Sequence, residues 1–113
     1  MTDVLLFVKK FRLGTKISEA LTDLNVSVEF AEGERFGISQ INDATKLVVL
    51  DLDDSVFQTV AFVSGLRNIN KNIKIAGFMK ILHKETYDRL KSAGCDIILP
   101  RSSFVKNIHT LIS

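Results

Sequence analysis

"KLVVLDLDD", Lys46 to Asp54, runs a block of apolar residues into a carboxylate and then adds two more acids. A short apolar run rich in valine and bounded by polar residues reads as a strand buried on both faces. Strands of that kind belong to parallel sheets covered by helices. The acid end then brings Asp51 to the rim of the sheet, where it can serve chemistry, hold a metal, or cap the helix that follows.

Working outward, the same grammar repeats. "VLLFV" (Val4 to Val8) is a second uniformly apolar strand, followed by "TKISEALTDLN", where Ile17, Ala20, Leu21 and Leu24 recur at helical spacing and Asn25 terminates. "VSVEFAE" alternates, with Val26, Val28 and Phe30 on one side, as in an edge strand with one wetter face. "RFGISQIND" predicts a short helix carried by Phe36, Ile38 and Ile41 and weakened by Gly37. After Asp51, a cap at Asp53, Asp54 or Ser55 leads into "VFQTVAFVSGLRN", with Phe57, Val60, Ala61 and Ser64 as its packing face. "IKIAGF" is the fourth strand. "HKETYDRLKSAG" is the fourth helix, with Tyr87, Leu90 and Ala93 inward and Gly94 at its end. "CDIILP" is the fifth strand, stopped by Pro100, and "SSFVKNIHTLIS" the last helix. Ser102 or Ser103 caps it, and Phe104, Ile108 and Leu111 or Ile112 face the core.

Five strands alternating with five helices through short connections predict an α/β fold, with one sheet covered on both faces. At 113 residues this is one domain, residues 1–113, with a flavodoxin-like doubly wound parallel sheet of order 2-1-3-4-5. Sites in such sheets form beyond the carboxyl ends of the strands at the switch point. Lys9, Lys10, Phe11, Asp51, Leu52 and Asp53 fall there.

Composition narrows the function classes. Fifteen basic and thirteen acidic residues give a net charge of +2, with no basic run longer than a pair, which argues against a nucleic-acid partner. No apolar run approaches the roughly 20 residues needed to span a bilayer, and the opening residues lack the layout of a signal peptide. The single cysteine, Cys95, excludes an internal disulfide and suits a reducing, cytoplasmic setting; its expected place is buried at the mouth of the fifth strand. His83 and His109 have no partners at metal-ligand spacing, so no metal is assigned, and neither a dinucleotide fingerprint nor a P-loop is present.

The chain resembles the receiver domains of bacterial response regulators over essentially its whole length. "LVVLDLDD" is similar to the third strand that ends in the family's phospho-accepting aspartate, which maps to Asp51. "LKSAGCDIILPR" is similar to the Ala-Gly-Ala-Asp run into the fifth strand, and the five-fold alternation is the third point of likeness. The resemblance also implies parts that this sequence lacks. Lys9 and Lys10 stand where receivers carry the acidic pair that holds Mg²⁺. Gly77, with Phe78 beside it, stands where the family has Thr or Ser at the end of the fourth strand. Arg101, followed by Ser102, replaces the fifth-strand lysine and its proline, the proline having moved to Pro100, and Ile98 takes the place of the switch aromatic.

Charge weighs these losses. Phosphoryl transfer to a carboxylate relies on a divalent cation to neutralise the developing oxyanions. An ammonium 6 Å from a dication repels it by roughly 5 kcal/mol at an effective dielectric of about 20. Asp53 and Asp54 are the remaining substitutes as cation ligands. Asp51 therefore either pairs with Lys9 or Lys10 to fix the loops, or forms with them a permanent stand-in for the metal-bound state. A basic cluster of Lys9, Lys10, Lys80 and Arg101 around the rim is offset by Asp51, Asp53 and Asp54.

The resulting expectation is a stand-alone, non-catalytic pseudo-receiver that acts through protein–protein contact and needs no cofactor. Asp51, Asp53, Lys9, Lys10, Gly77 and Arg101 form its degenerate phosphoacceptor site. The resemblance implies a partner or homodimer face on the fourth helix, fifth strand and fifth helix, with Lys84, Tyr87, Lys91, Ile98 and Lys106; Arg89 is expected to be exposed there too. Two alternatives stay open: a single-domain response regulator phosphorylated on Asp51, with a metal site altered around Asp53, and a flavodoxin-like domain binding a small anion through Lys9, Lys10 and Arg101.

Overall fold

A computed structural model describes residues 3–112, except for the side chains of residues 34–36. Its elements are β1 (Val4–Phe7), α1 (Phe11–Leu21) with a closing 3₁₀ turn (Thr22–Leu24), β2 (Val28–Phe30), α2 (Gly33–Ser39), β3 (Leu47–Asp51), α3 (Val60–Ile69), β4 (Lys74–Met79), α4 (Lys84–Ala93), β5 (Ile97–Pro100) and α5 (Arg101–Ile112). The strands form one sheet of order β2-β1-β3-β4-β5, parallel throughout. This is the flavodoxin-like doubly wound arrangement expected from the alternation of apolar runs.

The side-chain period of two divides the sheet into two cores. Val4, Leu6, Val49, Ala76 and Phe78 meet α1 and α5 through Ile17, Leu21, Phe104, Ile108 and Leu111. Leu5, Phe7, Val48, Leu50 and Ile75 meet the other layer through Phe62, Val63, Leu66 and Leu90. Each large aliphatic side chain removed from water in this way contributes about 2 kcal/mol. Strand β2 lies at the edge, and Val26, Val28 and Phe30 pack as partly buried residues on one face, as the alternation predicts.

Helix boundaries depart from the sequence reading in instructive places. Helix α1 starts at Phe11, ahead of Thr15, and only Ile17 and Leu21 of the expected stripe are buried. Asn25 closes its 3₁₀ turn in the left-handed region, the conformation that Asn tolerates best among non-glycine residues. Helix α2 runs over Gly33–Ser39, so Ile41 packs from the loop beyond it, and the side chain of Phe36 lies outside the described residues.

Helix α3 begins at Val60, not near Val56, and its buried face is Phe62, Val63 and Leu66 in place of Val60, Ala61 and Ser64. The reason is local. Asp54 spends its carboxylate and carbonyl on turns to the amides of Val56 and Phe57, while Thr59, extended, caps the helix by accepting from the Phe62 N–H. Phe57 is buried, but from the loop. Ser102 and Ser103 lie inside α5 and do not cap it, because the helix starts directly after Pro100 at Arg101. Helix α4 ends as expected at Gly94, whose φ of +126° suits glycine alone.

Candidate functional site at the carboxyl rim of the sheet

A cleft of about 200 Å³ opens where β1 and β3 end, lined by Lys9, Lys10, Asp51, Asp53 and Asp54. Its position follows from the topology, because neighbouring crossovers from β1 and β3 leave in opposite directions. The sequence-predicted residues Lys9, Lys10, Asp51 and Asp53 all converge on it.

Asp51 is the last residue of β3 and only 2% exposed. Its Oδ1 accepts the Asp53 N–H at 3.0 Å. Burial pushes its carboxyl above the ordinary value; the Asp53 N–H and, more weakly, the charges of Lys10 and Arg101 oppose that, while the Asp53 charge adds to it. Asp51 forms no ion pair with Lys9 or Lys10, a correction to both readings made from the sequence. The lysine side chains extend towards solvent, and Lys9 reaches past Asp51 to Asp54, with Nζ 3.4 Å from Oδ2 and 5.4 Å above the Phe57 ring.

Asp53 is the acid that reaches the ends of β4 and β5. Its carboxylate accepts the backbone N–H of Lys80 at 3.0 Å and a guanidinium N–H of Arg101 at 3.0 Å. Arg101 lies with its guanidinium carbon 6.0 Å from the Phe78 ring centre, and its buried Nε has no protein partner. Strand pairing places Phe78 opposite Asp51 and Pro100 opposite Met79, which delivers Arg101 to the rim.

Gly77 does not reach this cleft. It pairs with Leu50 inside the sheet, and a Cβ there would stand 2.5 Å from Leu52 Cδ1. The residue at the end of β4 is Met79, which is buried. Gly77 thus makes room for Leu52, whose N–H donates to the Phe78 carbonyl at 2.9 Å as the chain leaves β3. The likeness to a strand-end hydroxyl position came from counting along "IKIAGF", and the strand continues beyond that stretch.

A Mg²⁺ ion needs oxygen ligands in a near-octahedral set, usually with one or two carboxylates available. Here Asp53 is committed to Arg101 and Lys80, Asp54 to Lys9 and the Val56 N–H, and two lysines line the same cleft. The residues present do not fit that ion. Among the described residues, no group of three or more His, Cys, Asp or Glu is placed to hold a metal.

Of the expected partner face, Lys84, Lys91 and Lys106 are exposed, as is Arg89. Lys84 pairs with Asp88 at 2.6 Å, and Tyr87 is half-buried with Lys91 over its ring. Ile98 is a correction: at 4% exposure it belongs to the core, facing α4 from a sheet covered on both sides. His83 and His109 are exposed. Cys95 is buried, and burial raises its thiol to about 11, which suits a small core residue and not a reactive thiolate.

No family model and no curated protein matches the sequence. The structure, in contrast, superposes on solved receiver domains along nearly its full length. A response regulator from Hahella chejuensis aligns with a TM-score of 0.83 at 18% identity, covering 99% of this chain and 92% of that one. The non-phosphorylated HemR receiver domain from Leptospira biflexa gives 0.80 at 21%, covering 100% and 95%. An atypical orphan response regulator, described as having a phosphorylation-independent regulatory mechanism, gives 0.74 at 20%, covering 96% and 93%. Among the described residues, no helix is long and apolar enough to cross a membrane. Strand order, helix placement and these superpositions agree: the chain has the flavodoxin-like fold of response-regulator receiver domains.

Proposed function

We propose that this domain is a pseudo-receiver: a non-catalytic signalling domain that acts through contact with a protein partner, with Mg²⁺-dependent phosphorylation of Asp51 lost or impaired. One observation carries the reading. Asp53 and Asp54, the acids left to replace a cation-binding pair, are taken up by Arg101, Lys80 and Lys9. The similarity to an orphan regulator described as phosphorylation-independent supports the same direction. The partner surface in this reading is the exposed side of α4 and α5, with Lys84, Tyr87, Lys91 and Lys106, open to a homodimer or to another signalling protein. A cytoplasmic setting fits the lone reduced thiol.

Incubation with a small-molecule phosphodonor and Mg²⁺ tests the reading. The expected result is no acid-labile phosphate on the wild-type chain. Labelling that disappears in Asp51→Asn would restore the phosphorylated-regulator alternative.

A further inference from the structure

Two loops and the first residue of α5 meet at one side chain on the carboxyl rim. Asp53 lies in the loop after β3 and is fixed there by its own N–H, which donates to Asp51. Its carboxylate holds the backbone N–H of Lys80, the first residue after β4, and the guanidinium of Arg101, the first residue of α5. Both partners are partly withdrawn from water, with side-chain exposures of 28% for Asp53 and 24% for Arg101. The Phe78 ring lies beneath the guanidinium and restricts where it can go. Charge-assisted hydrogen bonds are the stronger class, and here two of them converge on one acceptor group.

We propose that Asp53 is a built-in clamp, holding the β4–α4 loop and the head of α5 in one arrangement through Lys80 and Arg101. This deepens the pseudo-receiver reading, on which its regulatory meaning rests. A carboxylate that could otherwise serve a cation instead joins the β4–α4 loop to the head of α5. Ile81 and Leu82 follow Lys80 directly and are 70% and 41% exposed. The clamp fixes the root of this exposed apolar pair. A cation competing for Asp53, or an anion competing for Arg101, would release it.

The neighbouring acid serves as an internal control. Asp54 belongs to the same loop but bonds to Lys9 and to its own turn, with no link to β4 or α5. A device built on general negative charge would use both acids, whereas the geometry uses Asp53 alone.

Residue-resolved amide exchange of the full chain tests the clamp in Asp53→Ala, Arg101→Gln and Asp54→Ala. Loss of a charged acceptor corresponds to about tenfold faster exchange of the Lys80 amide in Asp53→Ala. Arg101→Gln should accelerate it several-fold, and Asp54→Ala should leave it unchanged, while the amide of Val49 in the core stays protected in all three. Unchanged Lys80 exchange in either Asp53→Ala or Arg101→Gln overturns the proposal. So does acceleration that merely follows the core amides, since that reports global destabilisation. A chain that shows the clamp pattern yet becomes phosphorylated on Asp51 would uphold the clamp and overturn the pseudo-receiver reading, so the two failures are distinguishable.

Discussion

Arg101 and Asp53 meet at 3.0 Å across the carboxyl rim, although 48 residues separate them in the chain. The contact depends on strand register. Pro100 pairs with Met79 and Phe78 with Asp51, so the residue after β5 arrives beside the loop after β3. A guanidinium in this position neutralises one of the acids that a cation would need.

A different arginine holds the opposite end of the sheet. Arg67 donates to the carbonyls of Lys71, Ile73 and Gly94 and to the Asp96 carboxylate, with distances from 2.6 to 3.1 Å. These bonds tie α3 to the start of β4 and the end of α4. Arg67→Ala is expected to lower stability by about 2 kcal/mol in urea unfolding, because the part-buried carbonyls of Ile73 and Gly94 lose their donor together. Arg67→Lys should recover less than half of that, since an ammonium cannot span four acceptors. A loss of only a few tenths would mean that water replaces the guanidinium.

The fit of Leu52 against Gly77 gives a second expectation. Gly77→Thr should destabilise by about 2 kcal/mol through overpacking, without creating a ligand-binding hydroxyl at the cleft. Leu52→Ala opens the space that the new side chain needs. The double variant should therefore be more stable than the sum of the single effects, by at least about 0.5 kcal/mol in a double-mutant cycle. Strict additivity would contradict the contact.

Asp51 sets a dependence on pH. Its carboxyl is raised in the folded state, above an ordinary value of 3.8, chiefly by burial. The folded chain therefore binds this proton more tightly than the unfolded chain does. The stability from this group is fully present below the ordinary value and is lost as pH rises through the native one. At neutral pH the buried charge is a cost that Asn does not carry. Asp51→Asn should thus raise the urea midpoint at pH 7, with the advantage shrinking as pH falls into the carboxylate range. A wild type more stable than Asp51→Asn at pH 7 would show that the Asp51 charge is favourably paired.

The sheet was legible because its signal is redundant. Buried strands such as "LVVLD" and "VLLFV" announce themselves by composition, and their alternation with amphipathic stretches leaves little choice of architecture. Residues fixed by position at a strand end, Asp51 with Lys9 and Lys10, were also readable. Partnerships were not. Sequence alone places three acids and several cations at one rim, and which pairs form depends on loop conformation. Asp54 turns back on Val56, leaving Asp53 to face Arg101. The face of α3 was misread for the same reason: "DDSVFQT" offers several caps, and the turn at Asp54 delays the helix until Thr59 can cap it. Ile98 was assigned to a surface by likeness to a switch position, while its apolar character and the sheet's two-sided covering place it in the core.

The most direct measurement is an amide NMR titration of the chain with Mg²⁺ and beryllofluoride, a mimic of the phosphoryl group. A rim whose acids are already paired with Lys9 and Arg101 should give a flat response at Asp51 and beyond, with the spectrum of the folded chain intact. Shifts centred on Asp51 and spreading into α4 and β5 would contradict the account and identify a working phosphorylation switch.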